Sequence, residues 1–317
     1  MDRPKLSFFR MSKLSGDFIF KGVVGLFALG IIVLAFLLFR EPFIESQLSR
    51  NAFGFGFLTG STWDPVNEVF GALPFIFGTL VSSFLALLIA VPFSLGIAIF
   101  LSELAPEKLR TPLSFIIELL AAVPSVIIGL WGIFILAPFL RDYLAPPLST
   151  YLGFLPLFQG PMYGLSMLTG SVILAIMVIP ITSSVSREVI MTVPTQQREA
   201  ALALGATGWE TTRIAVLPYA RSGIFGAVIL GFGRAVGETM AVTMVIGNSS
   251  HISASLFSPS DTMASVIANQ FLETAGSKLY ISSLIEVGFL LLVVSVIINI
   301  GARILVWKFL KVERGAA

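Results

Sequence analysis

Two oppositely charged residues, Arg234 and Glu238, lie within a long apolar stretch of the sequence. If that stretch spans a membrane, a central arginine costs about 2.5–3.5 kcal/mol on insertion scales, so something must offset the cost. In a continuous helix the two side chains would share one face, one turn apart, and could form an ion pair. The arginine fork also suits the oxygens of an oxyanion. The pair predicts either an ion pair that joins helices or an anion site on a water-filled path.

Hydroxyls and glycines near this pair are weaker candidates. Thr239 follows the pair and Ser125 lies in another apolar stretch, but such side chains also bond back to their own helix. Small residues let a helix or a ligand approach the backbone, and four surround the pair: Gly226, Gly231, Gly233 and Gly237. Their spacing does not fit a dinucleotide-binding loop, and no strand precedes them. Two further acids, Glu118 and Glu286, are interpreted as helix–helix partners or interfacial residues.

The composition indicates a membrane protein. Of the 317 residues, 56% are apolar and 12% carry Asp, Glu, Lys or Arg, and the mean hydropathy is +0.94. Soluble domains carry about 25% charged residues, so a soluble enzyme, a nucleic-acid binder and a disordered chain are excluded. With no Cys and one His, disulfides and thiolate metal sites are excluded, and a zinc site is not expected. We expect no cofactor and no metal.

Six stretches are long enough to cross a membrane, since a span needs about 20 apolar residues. The predicted spans are roughly 20–39, 73–101, 113–139, 165–185, 222–247 and 281–306. The first could be a cleaved signal peptide. Its length and the Arg40-Glu41-Pro42 that follows favour an uncleaved anchor.

The distribution of cations predicts that both termini are cytoplasmic. With the N-terminus inside, the inner segments hold thirteen Lys and Arg residues and the outer segments hold four. The inner cations are Arg3, Lys5, Arg10, Lys13, Lys108, Arg110, Arg187, Arg198, Arg213, Arg221, Lys308, Lys311 and Arg314. Three outer loops follow, at roughly 40–72, 140–164 and 248–280.

The longest inner loop, 187–221, has a helical pattern. Residues 196–204 are strong helix formers and Gly205 supplies a C-terminal stop. Thr207 and Glu210 have the spacing of a capping box that starts a second helix. The loop therefore predicts two short helices in an L at the cytoplasmic surface. They could dock in a groove of another protein, or they could form an interfacial linker.

The loop resembles the EAA loop of ABC importer permeases. Glu199-Ala200-Ala201, Gly205 and Leu217-Pro218 match that pattern in type and spacing, whereas Ala215 stands where Ile is usual. Two other stretches resemble the third and fifth spans of phosphate permeases: AVPSVIIGLWG at 122–132 and GFGRAVGETMAV at 231–242. The second stretch is similar to the C-type subunit of those importers.

The resemblance implies an all-α polytopic fold of six transmembrane helices, the type I (MetI-like) ABC permease architecture, in the bacterial inner membrane. It implies a second homologous permease subunit, two copies of a cytoplasmic ATPase and an extracytoplasmic phosphate-binding protein. Glu199, Ala200, Ala201 and Gly205 would couple to the ATPase, and Arg234, Glu238, Thr239 and Ser125 would line the phosphate path. Membrane lipid is the other expected contact, and no nucleic acid is expected.

The chain itself is not expected to be an enzyme, because it has no Gly-x-x-x-x-Gly-Lys-Ser/Thr loop and ATP hydrolysis would fall to a partner. The predicted organisation is a tail, first span and outer loop at 1–72, a five-helix core at 73–306 and a cytoplasmic tail at 307–317. Three alternatives remain open: a permease for another oxyanion, an ATPase-independent anion transporter or channel, and a scaffold that reports phosphate status.

Overall fold

The computed structural model describes residues 8–274 and 276–314; Arg3 and Lys5 of the cation count lie outside this part. Within it, six helical stretches are long and apolar enough to cross a membrane. They are Gly16–Glu45, Leu73–Leu104, Ser125–Leu152, Met167–Met191, Gly208–Gly237 and Lys278–Ile304. The prediction of six spans is confirmed, although two of them have different limits.

The α-helices, in chain order, are α1 (Phe8–Glu45), α2 (Gln47–Phe53), α3 (Gly56–Thr59), α4 (Leu73–Ile99), α5 (Glu107–Ala122), α6 (Ser125–Trp131), α7 (Ala137–Phe139), α8 (Ala145–Leu152), α9 (Met167–Met191), α10 (Thr195–Ala203), α11 (Gly208–Thr211), α12 (Leu217–Gly237), α13 (Met240–Val245), α14 (Met263–Gln270) and α15 (Lys278–Arg314). Five-residue π-helical turns extend or join several of them, at Phe100–Leu104, Gly132–Leu136, Leu140–Leu144 and Thr212–Val216. A short antiparallel hairpin pairs β1 (Trp63–Asp64) with β2 (Val69–Phe70).

Helix α9 is the centre of the bundle. It packs against α4, α12 and α5, and its buried face is rich in small and hydroxyl side chains. Such residues let membrane helices approach closely. A Cβ added at Gly231 of α12 would lie 2.5 Å from Oγ1 of Thr182 on α9, so these two backbones are in close contact. By contrast α1 is exposed on all sides along its apolar stretch and touches α15 at one side.

The third predicted span is wrong in its limits. Instead of one helix over 113–139, α5 ends at Ala122 and a second, longer helical stretch runs from Ser125 to Leu152. The cause is Pro124, which has no N–H and forces the preceding residue out of the helical region. Val123 and Pro124 accordingly have extended backbones, with ψ of 127° and 136°. The predicted outer loop at 140–164 begins as a helix as well, and Pro146 lies in the first turn of α8, where proline is tolerated.

The loops at the end of the bundle away from residues 187–221 are packed rather than open. The β1–β2 hairpin places Trp63 opposite Phe70, and both rings join a buried aromatic cluster with Phe75 and Tyr280. Trp63 Nε1 and the Tyr280 hydroxyl both donate to Oε1 of Gln270, at 2.7 and 2.8 Å. These contacts fix the loop before α4 against α14 and the start of α15.

Asp261 is buried where the segment before α14 crosses α4. Its Oδ1 accepts hydrogen bonds from the Thr262 N–H, at 2.9 Å, and from the Ser265 hydroxyl. Burial raises the pKa of Asp261 to about 6, against the opposing effect of these two bonds. The backbone carbonyl of Asp261 faces Gly78 of α4 so closely that a Cβ at Gly78 would lie 1.8 Å from its oxygen.

We expect Gly78→Ala to destabilise the bundle, because neither backbone can retreat without breaking the α4–α14 contact. Overpacking of this kind costs about 1–3 kcal/mol. The apparent unfolding temperature of the detergent-solubilised protein measures the effect. Gly96→Ala is the matched control on the same helix, since a Cβ there meets nothing within 4 Å. Equal unfolding temperatures for the two variants would contradict the close contact.

Asp261 also predicts a pH dependence. Because its folded pKa is raised above 3.8, the folded state holds the proton more tightly, so stability is highest at low pH and falls as pH rises from 3.8 to about 6. The loss is up to about 3 kcal/mol. Asp261→Asn keeps the acceptor oxygen and should flatten the curve of unfolding temperature against pH. Asp17→Asn, at an exposed carboxylate, should leave the wild-type slope; a wild-type slope in Asp261→Asn would refute the assignment.

Candidate functional site: paired helix breaks and a coupling loop

Two helix breaks define the candidate path. The first separates α5 from α6 at Val123-Pro124, so that Ser125 becomes the first residue of α6. The second separates α12 from α13: α12 ends at Gly237, Glu238 is extended with ψ of 125°, and α13 begins at Met240. The fifth predicted span, 222–247, is therefore wrong as a single helix.

The two breaks lie side by side. Helices α6 and α13 pack on each other, and a Cβ added at Gly129 would lie 3.1 Å from the Cα of Ala241. One turn further along, a Cβ at Gly132 would lie 2.8 Å from Val245. The contacts advance in the same direction on both helices, so the helices are parallel. Four residues before Gly129 and Ala241 are Ser125 and Gly237, and the two interruptions are thereby brought to the same level of the bundle.

Arg234 lies in the last turn of α12, just before the second break. Its side chain is half-buried, and its Nε is buried without a hydrogen-bond partner. A cation in this place is favourable because the last carbonyls of a helix carry partial negative charge. The guanidinium thus lies on the last turn of α12, next to the break that ends this helix.

The predicted ion pair between Arg234 and Glu238 is wrong for this conformation. Among the described residues, no ion pair within 4.0 Å joins the two. The prediction assumed an unbroken helix, in which four residues make one turn. Because the helix ends at Gly237, the extended backbone carries the Glu238 side chain away from that shared face.

The other predicted path residues lie close to the breaks. Glu238, Thr239 and Ser125 are all half-buried. The Thr239 hydroxyl donates to the carbonyl of Gly237 at 3.3 Å, across the break, and its own carbonyl accepts from the Thr243 hydroxyl at 2.7 Å. Of the four glycines predicted to permit close approach, Gly231 does so against Thr182, whereas a Cβ at the other three would meet nothing within 4 Å.

A second polar cluster was not predicted from the sequence. Glu118 of α5 and Arg187 of α9 line a cavity of about 10 Å³ together with Ser114, Ser183 and Ser184. A cavity of that size admits about one water molecule. The Nε of Arg187 is buried without a hydrogen-bond partner. Arg187 was counted as a loop cation because α9 was predicted to end near residue 185, whereas the helix runs to Met191.

The coupling loop has the predicted first helix and stop. Helix α10 ends in a Schellman motif: Gly205 has φ of +88°, its N–H donates to the carbonyl of Leu202, and the Ala206 N–H donates to that of Ala201. Glu199, Ala200 and Gly205 are exposed, but Ala201 is 7% exposed and faces the protein's own core. Of the four predicted coupling residues, Ala201 therefore packs α10 against the rest of the protein and is not available to a partner.

The second helix of the loop is not a separate element. The predicted capping box is present, with the Thr207 hydroxyl accepting from the Glu210 N–H and the Glu210 carboxylate accepting from the Thr207 N–H. From Gly208 the chain continues through the π-helical turn Thr212–Val216 into α12 without a break. This wider turn accommodates Pro218, which has no N–H to donate. The predicted pair of short helices is thus one short helix followed by the start of a span.

A family model described as "Binding-protein-dependent transport system inner membrane component" matches residues 94–311, more than half of the chain. The chain belongs to this family. It is thus an inner-membrane, multi-pass transport component, and the six apolar helices agree with that assignment.

Relatives in three organisms extend the match across most of this transport component. It is 46% identical over 296 residues to the "Phosphate transport system permease protein PstC" of Mesorhizobium japonicum, covering 92% of this chain and 90% of the relative. The protein of that name in Pasteurella multocida is 44% identical, covering 94% and 93%. The "Probable phosphate transport system permease protein PstC" of Methanocaldococcus jannaschii is 38% identical, covering 86% and 87%.

Solved structures support the fold alone. A chain of a bacterial ABC transporter involved in the import of the acidic polysaccharide alginate aligns with a TM-score of 0.61 at 16% identity, covering 93% of this component and 99% of that chain. A chain of the MetNI methionine ABC transporter, in an inward-facing conformation, aligns with a TM-score of 0.54 at 17% identity, covering 74% and 93%. The predicted ABC importer permease fold is confirmed.

Gly205 gives a direct test of the coupling-loop geometry. Left-handed backbone costs a non-glycine residue about 1–2 kcal/mol, so Gly205→Ala should speed amide hydrogen exchange in residues 200–206 by about 5- to 30-fold. Hydrogen–deuterium exchange with mass spectrometry measures it. Gly208→Ala is the matched control, because Gly208 has no positive φ and open space around it. Unchanged exchange in Gly205→Ala would contradict the Schellman stop.

Proposed function

We propose that this chain is a permease subunit of an ATP-driven importer of inorganic phosphate, and that Arg234 is the residue that receives the anion. The observation that carries the proposal is the position of Arg234: a half-buried guanidinium beside two paired helix breaks, with an Nε that has no hydrogen-bond partner. The phosphate permease names of relatives at 38–46% identity support phosphate as the anion.

The proposed path follows from the chemistry of the breaks. Non-helical backbone at membrane depth is tolerated where it is covered by protein or lines a water-filled cavity. Phosphate would reach Arg234 past Ser125 and Thr239, whose hydroxyls can donate to its oxygens. Among the described residues, the Glu238 carboxylate has no cation within ion-pair distance. It would therefore repel the phosphate dianion more strongly than the singly charged dihydrogen phosphate. The fork of Arg234 suits two phosphate oxygens at once.

The partners belong to the same proposal. One chain with six spans would pair with a second, homologous permease subunit. The exposed face of α10, with Glu199, Ala200 and the 90% exposed Leu204, would dock on one of two copies of a cytoplasmic ATPase. The packed loops at the opposite end would receive an extracytoplasmic phosphate-binding protein. Both termini would then be cytoplasmic, in agreement with the excess of Lys and Arg on that side.

Uptake of radiolabelled phosphate into proteoliposomes that contain the complete complex tests the proposal. Arg234→Gln should lower ATP-driven uptake by about 10- to 100-fold, because it removes hydrogen bonds between a charged group and the anion, and the free energy of such bonds corresponds to that factor. Arg234→Lys should recover part of it, since a lysine binds one oxygen where the fork binds two. Glu199→Lys should leave assembly intact and reduce the uptake driven by each ATP. Arg213→Gln, at an exposed cation elsewhere in the loop, is the control.

Two results would overturn the proposal. Normal uptake in Arg234→Gln would remove the substrate site. Uptake without ATP that is insensitive to Glu199→Lys would favour an ATPase-independent transporter or channel. Competition by sulfate or arsenate at equal concentration separates phosphate from other oxyanions.

A further inference from the structure

Arg198 points in the opposite direction from its neighbour Glu199. Glu199 is exposed on α10, whereas the Arg198 side chain is 21% exposed and reaches under the helix toward the bundle. There it meets Glu103, whose side chain is 13% exposed, in a two-point contact: Nη2 to Oε1 at 2.8 Å and Nε to Oε2 at 3.3 Å. This parallel geometry is the most directional form of an arginine–carboxylate pair.

The same guanidinium also binds the end of α9. Its Nη2 donates to the carbonyl of Ile190 at 3.0 Å, and its Nη1 donates to the carbonyl of Val193 at 2.5 Å. These carbonyls belong to the last turn of α9 and the residues just after it, where the regular helical hydrogen bonds end; the Ile190 carbonyl also accepts from the Val193 N–H at 3.2 Å. One side chain of the coupling helix therefore holds two separate spans.

Glu103 needs this partner more than an ordinary acid does. It lies in the π-helical turn Phe100–Leu104 that ends the span of α4, and a carboxylate near a helix C-terminus meets partial negative charge. Arg110 adds a second cation here by donating to the carbonyl of Ser102 at 3.1 Å. The end of α4 is thus bound electrostatically from α10 and from α5.

An apolar cluster continues the contact into the bundle. Ala98 of α4, Ile190 of α9 and Ala220 of α12 are buried together with Val193 and Val216. The three spans therefore meet directly beneath Arg198. Helix α12, one of the three, carries Arg234 four turns farther along.

We propose that Glu103 and Arg198 form a clamp that makes α10 move as one body with the cytoplasmic ends of α4 and α9. The push of an ATPase on the exposed face of α10 would then reach the spans through this clamp, and not only along the backbone of the loop. Arg198 and Glu103 are positioning residues and touch neither substrate nor ATP. The inference rests on the proposed function, because it assumes a partner that drives α10.

The clamp predicts uncoupling rather than loss of the complex. In the reconstituted full complex, Arg198→Gln and Glu103→Gln should each lower the number of phosphate ions imported per ATP hydrolysed by about 5- to 50-fold. ATP hydrolysis itself should continue. Arg198→Lys should recover part of the ratio, because an ammonium makes one of the two bonds to Glu103. Arg213→Gln should keep the wild-type ratio.

A cross-link separates the clamp from a contact that must open. The native chain has no cysteine, so Glu103→Cys with Arg198→Cys introduces the only thiol pair, provided that the partner subunits are freed of reactive cysteines. The double variant should be uncoupled until a short bis-maleimide joins the two thiols. Joining them should then restore the ratio of phosphate to ATP to at least half of the wild-type value.

Each outcome decides between the two proposals. Uncoupling by Glu199→Lys, combined with a wild-type ratio in Arg198→Gln and Glu103→Gln, would overturn the clamp and leave the proposed function standing. A cross-link that abolishes transport would overturn the clamp as well, because the contact would then have to open in each cycle. Uptake independent of ATP in the wild-type complex would overturn the proposed function itself. If Arg198→Gln fails to assemble, Glu103→Gln and the cross-linked pair supply the same measurement.

Discussion

A helix that stops inside a membrane leaves backbone groups without partners, and hydrocarbon cannot supply them. This chain has two helix breaks, at Val123-Pro124 and at Glu238-Thr239, and the contact of α6 with α13 places them side by side. In the proposed function both breaks lie at membrane depth. Each interruption alone would be costly in lipid. Together they form one polar level in the bundle, where Arg234 gains from the C-terminal carbonyls of α12. The tolerated arginine, the half-buried hydroxyls and the close packing at Gly129 of α6 all follow from that arrangement.

The end of the bundle that carries α10 is tightly packed. Helix α9 connects the two ends, because it contacts α12 near the breaks and ends beneath Arg198. Close approach at Gly231 and Gly223 leaves little room for α12 to slide on α9: a Cβ at Gly223 would lie 2.4 Å from Val189. A displacement of α10 would therefore move α9 and α12 together. In the proposed function, the exposed face of α10 binds the partner. The opposite face of α10 contacts the spans and moves them.

Local signals in the sequence were sufficient for much of this structure. The six spans follow from runs of apolar residues, and the stop of α10 follows from Gly205, which the left-handed backbone at that position requires. The capping box of Thr207 and Glu210 was readable for the same reason, since all its partners lie within three residues. Pro124 was a visible signal for a break, but its effect on the limits of the third span was underestimated.

The rest depended on distant contacts. No proline marks the break after Gly237, and α13 is held by its packing on α6, more than a hundred residues away in the chain. Without that information, Arg234 and Glu238 were placed one turn apart on an unbroken helix. The inward direction of Arg198 likewise depends on Glu103, 95 residues earlier. The structure shows that Ala201 is buried whereas Glu199 and Ala200 are exposed, a difference that the motif alone does not reveal.

The most direct test is a cryo-electron microscopy structure of the assembled transporter with phosphate bound, in a nucleotide state that opens the path. We expect phosphate density within hydrogen-bond distance of the Arg234 guanidinium, at the level of the paired breaks. A guanidinium that is held by neighbouring helices in every nucleotide state, with no water-filled route to it and phosphate bound elsewhere, would contradict the account.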